Sequence, residues 1–84
     1  MMSHTPILTL YTRVGCHLCE DMERQLSLLQ QHHPFSLNVV DIDADSYLAL
    51  RYGKRVPVLA AGEQEICHYY LNQDLVLEYL KHSS

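Results

Sequence analysis

The stretch Ile7-Leu8-Thr9-Leu10-Tyr11-Thr12-Arg13-Val14-Gly15-Cys16-His17-Leu18-Cys19 changes character halfway along. Its first six residues are apolar and β-prone, and they read as a buried strand. Gly15 interrupts the run. From Cys16 onward the period changes. Leu18, Met22, Leu26 and Leu29 recur at steps of four, four and three, which is one face of a helix. Glu20, Glu23, Arg24 and Gln25 fill the other side, with Glu20 and Arg24 placed as an i,i+4 pair. The helix should stop before His32-His33-Pro34. A strand therefore runs into a helix with a C-x-x-C at the junction.

Working outward, residues 35–42 resume a strand pattern, with Phe35, Leu37 and Val39 on one face. Strand, helix and strand at this distance make a βαβ unit, so the first two strands should be parallel. Asp43 or Asp45 is placed to cap a second helix over 46–52. Gly53 sits where a helix end favours a left-handed residue. Residues 56–60 read as a third strand, Gly62-Glu63 as a turn and 65–68 as a fourth strand. Pro57 suits the start or edge of its strand. Asn72 caps a last helix whose stripe is Leu75, Val76, Tyr79 and Leu80. The order is βαβαββα. It predicts an α/β domain with a four-stranded mixed sheet flanked by helices.

The chain has 84 residues, so this order fills one small domain with a core over about 7–80. Apolar residues make up 48%, which excludes general disorder. Three cysteines allow one internal bridge at most, which excludes a disulfide-built scaffold. A net charge of −4 argues against broad nucleic-acid binding. No apolar run approaches the ~20 residues of a membrane span. The start, Met1-Met2-Ser3-His4-Thr5-Pro6, lacks a positive segment, and the apolar run 7–11 is too short for a signal peptide. The expected setting is the cytoplasm and the expected state a monomer.

A C-x-x-C by itself fits half a zinc site, part of an iron–sulfur site or a redox pair. Between a strand and a helix it favours the redox pair. Unpaired N–H groups and the positive end of the helix dipole would stabilise a thiolate at Cys16. Cys19 lies about one turn on, close enough to attack a mixed disulfide. Cys16 is thus the candidate nucleophile and Cys19 the resolving thiol. His17 is either a tuner of the thiolate, when protonated, or an exposed first-turn histidine. Arg13, Lys54 and Arg55 are half of the six Lys and Arg residues, and all three fall on loops flanking the thiols. They suggest a basic rim for an anionic ligand, or ordinary loop charge. Cys67 followed by His68 raises a zinc site on paper, but lacks a second short ligand pair and reads as a packed thiol. Tyr69 and Tyr70 read as packing or as a groove lining. His32-His33 read as a solvated helix end. Asp41, Asp43 and Asp45 lack the glycine and glutamate of a calcium loop and read as caps.

The run Arg13-Val14-Gly15-Cys16-His17-Leu18-Cys19, together with Tyr52-Gly53-Lys54-Arg55-Val56-Pro57-Val58-Leu59, resembles the small glutaredoxin-like family of the thioredoxin superfamily. The two motifs, C-H-L-C and R-V-P-V, lie about 40 residues apart, and the likeness spans nearly the whole chain. The resemblance implies a thioredoxin fold and thiol–disulfide oxidoreductase activity without a resident cofactor. It implies that the Val56–Pro57 bond is cis and that its backbone faces the C-x-x-C, where it pairs with an extended peptide or glutathione. Partners would be a protein or small-molecule disulfide, with glutathione as co-substrate or thioredoxin reductase as electron source. The chain departs from the pattern in two places: His17-Leu18 replaces the usual proline or glycine inside the C-x-x-C, and the segment after the fourth strand differs. Glutathione-binding members usually carry Gly-Gly and an acid after the fourth strand. Here that stretch is Cys67-His68-Tyr69-Tyr70-Leu71-Asn72-Gln73-Asp74. Asn72 and the following helix start still offer a carboxylate a place. The missing glycines predict that glutathione is the poorer electron donor. Two other readings keep the fold and change the role: a metal or iron–sulfur module, and a redox-inactive adaptor that holds a peptide beside Pro57.

Overall fold

A computed structural model describes residues 5–82. The first four residues, on which part of the leader-peptide reading rests, lie outside the described range. The elements are β1 (Ile7–Thr12), α1 (His17–Gln30), β2 (Ser36–Asp41), a short 3-10 turn (Ile42–Ala44), α2 (Ser46–Tyr52), β3 (Val58–Ala61), β4 (Gln64–His68) and α3 (Gln73–His82). The four strands form one sheet in the order β2-β1-β3-β4. β1 pairs parallel with β2, while β3 is antiparallel to both β1 and β4. The expected βαβ unit and mixed sheet are therefore present. Among the described residues no helix is long and apolar enough to cross a membrane.

Alternation along the strands explains the layers. Leu8, Leu10 and Leu59 point to one face, where Met22, Leu26 and Leu29 of α1 and Val76 of α3 cover them. Tyr11 and Val58 point to the other face and meet Ile42, Leu48 and Tyr52. Two helices thus lie on one side of the sheet and α2 on the other. β3 and β4 join through Gly62-Glu63, where Gly62 takes φ +61, the left-handed value that short hairpin turns need. A bulge opposite Leu59 and Ala60 lets neighbouring Ile66 and Cys67 both pack against the larger core.

Several local expectations shift. On α1 the buried stripe is Cys19, Met22, Leu26 and Leu29, and Leu18 is only half-buried. The helix starts one residue after Cys16, and this phase turns the second cysteine inward. Arg24 pairs with Asp21, not Glu20. Phe35 is buried but precedes β2, and Val39 on the edge strand is exposed. β3 begins at Val58, after the proline that lacks an N–H for the ladder. On α3 Leu75 is exposed, and Leu77 packs instead beside Val76, Tyr79 and Leu80. Gly53 is right-handed (φ −55, ψ −30), not left-handed. It is needed for a close approach: a Cβ there would lie 2.4 Å from the Ala49 carbonyl oxygen and 3.3 Å from Nη2 of Arg13.

Candidate active site

The ends of all four strands meet at one edge of the sheet. The register pairs Thr12 with Asp41, Tyr11 with Val58, and Val58 with His68. The loops after β1, β2 and β4, and the loop before β3, therefore converge. They carry Arg13–Cys16, Ile42–Asp45, Tyr69–Asn72 and Lys54–Pro57.

The loop after β1 turns at Gly15 (φ +80), and the Cys16 N–H reaches the Arg13 carbonyl at 3.3 Å. Cys16 then takes an extended conformation (φ −97, ψ 109) as the N-cap of α1. Its Sγ accepts the Cys19 backbone N–H at 3.1 Å. Ser, Thr, Asp and Asn are the usual caps, because their oxygens accept this bond well. A sulfur in that role is a weaker cap in a place that favours negative charge. Cys16 is half-buried and Cys19 is 2% exposed. The two are joined as a disulfide across 5.2 Å between Cα atoms. The exposed member is the one a second molecule can reach. His17 is exposed on the first turn, and its imidazole has no hydrogen bond or ion pair among the described residues.

The basic residues of the rim are largely engaged within the domain. Arg13 forms a fork with Asp43, Nε to Oδ2 at 3.0 Å and Nη2 to Oδ1 at 3.1 Å, and Nη1 reaches the Gly53 carbonyl at 3.4 Å. This ties the cysteine loop to both ends of the region between β2 and β3. Arg55 is held by Glu65, whose other oxygen lies 2.6 Å from Nδ1 of His68. The Arg55 guanidinium also lies over the Tyr52 ring, which stacks on Tyr11 at 4.2 Å. Burial, with Tyr52 alongside, pushes the Tyr11 hydroxyl above its ordinary pKa. Lys54 is exposed, and its ammonium has no ion pair among the described residues.

The Val56–Pro57 peptide is cis and Pro57 is buried. The Pro57 carbonyl accepts the Tyr69 N–H at 2.9 Å. The backbone N–H and C=O of Val56 have no partner among the described residues. Asn72 caps α3 by accepting the Leu75 N–H at 3.1 Å, so its side-chain oxygen is already in use. Cys67 is half-buried, and burial raises its thiol pKa. Among the described residues no group of three or more His, Cys, Asp or Glu side chains is placed to hold a metal ion. The zinc arrangement drawn from Cys16, Cys19, Cys67 and His68 is therefore not assembled.

Three contributors were not legible as such in the sequence. Asp43 and Glu65 anchor the rim arginines, across 30 and 10 residues of chain. Tyr69 is left-handed (φ +66), and the Tyr70 N–H reaches back to the His68 carbonyl at 2.7 Å to close a three-residue turn. An aromatic residue is rare in that conformation. The one signal is negative: Tyr69 and Tyr70 stand where the glutathione-binding pattern has a flexible glycine pair.

With this geometry in place, the profile of the glutaredoxin-like domain family (DUF836) matches residues 7–81. The chain belongs to this family. Among solved structures it is similar to protein Ne2328 of Nitrosomonas europaea, with 42% identity, a TM-score of 0.82, and coverage of 94% of this chain and 95% of that one. Protein XcR50 of X. campestris is 31% identical over 92% of this chain and 99% of that one, with a TM-score of 0.71. Thioredoxin of Fasciola hepatica shares the fold at 16% identity, with a TM-score of 0.61 over 95% of this chain and 82% of that one. No curated protein matches the chain. The α/β thioredoxin fold expected from the glutaredoxin-like resemblance is therefore the fold of the protein.

Proposed function

We propose that this glutaredoxin-like protein is a thiol–disulfide oxidoreductase, with Cys16 as nucleophile and Cys19 as resolving thiol. One observation carries the reading: Cys16 caps α1 through its sulfur, with the buried Cys19 bonded to it one turn later. In the reduced protein the Cys16 thiolate attacks one sulfur of a substrate disulfide. That S–S bond breaks, and the departing sulfur leaves with the electron pair and takes up a proton. Cys19 then loses its proton and attacks Cys16 Sγ. The second substrate sulfur leaves, and the Cys16–Cys19 disulfide forms. The substrate gains two electrons and the pair loses two, to be returned by an external thiol or dithiol. The two sulfurs carry both electrons, so the cycle needs no resident cofactor.

In this reading the loop at Pro57 lies beside the substrate. The unpartnered backbone of Val56 offers one donor and one acceptor to an extended chain, the pattern by which a peptide adds to a strand. Arg13 and Arg55 hold the loops in place more than they present free charge, because Asp43 and Glu65 occupy them. His17 and Lys54 are the exposed cations available to steer an anion, His17 only when protonated.

The reading is tested by alkylating the reduced protein across pH and locating the modified residue. Cys16 should react with a midpoint below the ~8.5 of an ordinary thiol. A midpoint at or above that value removes the physical basis of the assignment.

A further inference from the structure

We propose that the cleft beside Cys19 receives an apolar side chain of a substrate polypeptide, so that the site prefers protein or peptide disulfides to glutathione, with Tyr69 setting that preference. The inference rests on the redox reading above and adds the substrate class.

The cleft holds about 140 Å³ between the start of α1 and the loop after β4. Leu18, Met22, Leu71, Tyr69 and Tyr70 line it, together with the polar Asp21 and Gln25. Leu18 precedes Cys19 and Met22 follows it by one turn, so the cleft lies along the helix that carries Cys19, although neither cysteine lines it. The cleft is partly open to solvent, and polar and apolar surface share its walls. One leucine or phenylalanine side chain fills such a space. A polypeptide joined to Cys16 through its own cysteine carries the neighbouring residues past this point. Val14, 84% exposed, adds apolar surface to the loop on the other side of Cys16.

The charges point the same way. Asp21 is the only Asp, Glu, Lys, Arg or His side chain in the lining, and Arg24 pairs with it. Among the described residues no cation lines the cleft. Arg13 and Arg55 are bound by Asp43 and Glu65, and the exposed cations Lys54 and His17 stand on the rim outside the cleft. Glutathione carries two carboxylates, each of which loses water on binding and needs a donor in exchange. The start of α3 is a poor one. Asn72 already accepts the Leu75 N–H, and Asp74 adds negative charge to the first turn.

Tyr69 builds the wall. Its backbone is left-handed (φ +66), which is unfavourable for a bulky side chain and natural for glycine. The conformation is held at three points. The N–H binds the Pro57 carbonyl at 2.9 Å, the hydroxyl donates to the Lys54 carbonyl at 2.7 Å, and the ring stands edge-on to His68 at 4.7 Å. The phenol thus couples the loop before β3 to the loop after β4, and Tyr69 lines one side of the cleft.

The test uses a Cys19→Ala background, in which the reaction stops at the mixed disulfide on Cys16. Three symmetric disulfides are offered: a peptide with leucine beside its cysteine, the same peptide with aspartate there, and glutathione disulfide. Mass spectrometry follows the adduct on Cys16. The leucine peptide should react at least tenfold faster than either of the others. Tyr69→Gly should shrink that advantage to threefold or less, and Tyr69→Phe, which keeps the ring, should preserve it. Equal rates for the three disulfides, or an advantage untouched by Tyr69→Gly, would overturn the proposal while leaving the redox reading intact. If none of the three reacts faster with Cys16 than with a free cysteine, the redox reading itself fails. The cleft is then judged by binding alone, with S-methylated peptides titrated into the wild-type protein by NMR. The leucine peptide should shift Leu18, Met22 and Tyr70 and bind at least fivefold tighter than the aspartate peptide. No difference between them overturns the proposal on its own.

Discussion

Two helices of this domain begin at the same edge of the sheet, and they solve the same problem with different atoms. At α3 the side-chain oxygen of Asn72 accepts the Leu75 N–H at 3.1 Å, and Asp74 follows in the first turn. At α1 the acceptor of the Cys19 N–H is the sulfur of Cys16, also at 3.1 Å. Each helix start leaves N–H groups without a partner and concentrates positive potential there. Both first turns carry an acid, Glu20 in α1 and Asp74 in α3, but the cap itself differs. At α3 it is an amide that stays neutral, and at α1 it is a group that can become an anion. Cys16 is thus a modest cap in a position where serine would serve the helix better. The difference between the two ends separates what the fold requires from what the chemistry requires.

The sharpest way to break this comparison is Cys16→Ser. The hydroxyl restores a preferred cap and removes the proposed nucleophile. Disulfide exchange should fall to background in a single-turnover assay. Urea unfolding of the variant and of the reduced wild type should agree within about 0.5 kcal/mol, or favour the serine, because good caps are worth ~1 kcal/mol. If the variant lost stability and activity together, Cys16 would be a structural element of α1 first and a reactive group second.

A smaller effect is expected at the other helix. Asn72→Ala should cost about 1 kcal/mol of folding free energy through the lost cap. Exchange at Cys16 should change less than twofold. Asn72→Cys goes further, since it places a thiol at a second helix start without a resolving partner. The alkylation midpoint of the introduced thiol should fall below ~8.5, yet stay above that of Cys16, because Asp74 follows its cap more closely than Glu20 follows Cys16 and so opposes a thiolate more. A midpoint as low as that of Cys16 would show that any helix start suffices. A midpoint above ~8.5 would show that the loop around Cys16 supplies more than the dipole.

Much of this contrast was legible in one dimension. The switch from strand to helix period at Cys16, the Asn72 cap and the parallel first pair all follow from local patterns, and local patterns survive folding when one face is buried. What was not legible depends on distant pairing. Arg13 and Arg55 read as a free basic rim until Asp43 and Glu65 are brought beside them. Gly53 read as a left-handed cap, whereas the crowding of Ala49 and Arg13 around its Cα is what requires a hydrogen there. The left-handed Tyr69 has no local cue, because tethers to Lys54 and Pro57 hold it and both lie in another loop. The helix stripes erred by one position, at Leu18 and Leu75, because each cap fixes where its helix begins and periodicity alone does not.

The smallest expected effect sharpens the comparison from outside both helices. Cys67 lies in β4, half-buried and within reach of the Asn72 backbone at the start of α3, and burial raises its pKa more than that contact lowers it, where α1 should lower that of Cys16. In the oxidised protein Cys16 and Cys19 are bonded, so Cys67 is the only one of the three cysteines left to titrate. A thiol whose folded pKa is raised holds its proton longer in the native state than in the unfolded one. Unfolding then releases a proton above the ordinary thiol range, and stability falls as pH rises through it. The contribution is fully present below the unfolded pKa of about 8.5 and is lost as pH climbs through the folded value. Oxidised wild type should therefore lose stability between about pH 8 and 9.5 more steeply than Cys67→Ala, by urea unfolding in parallel. Equal slopes would mean that Cys67 titrates as a free thiol. A shallower slope in the wild type would give it a lowered pKa and erase the distinction drawn here between a thiol placed for reaction and one placed for packing.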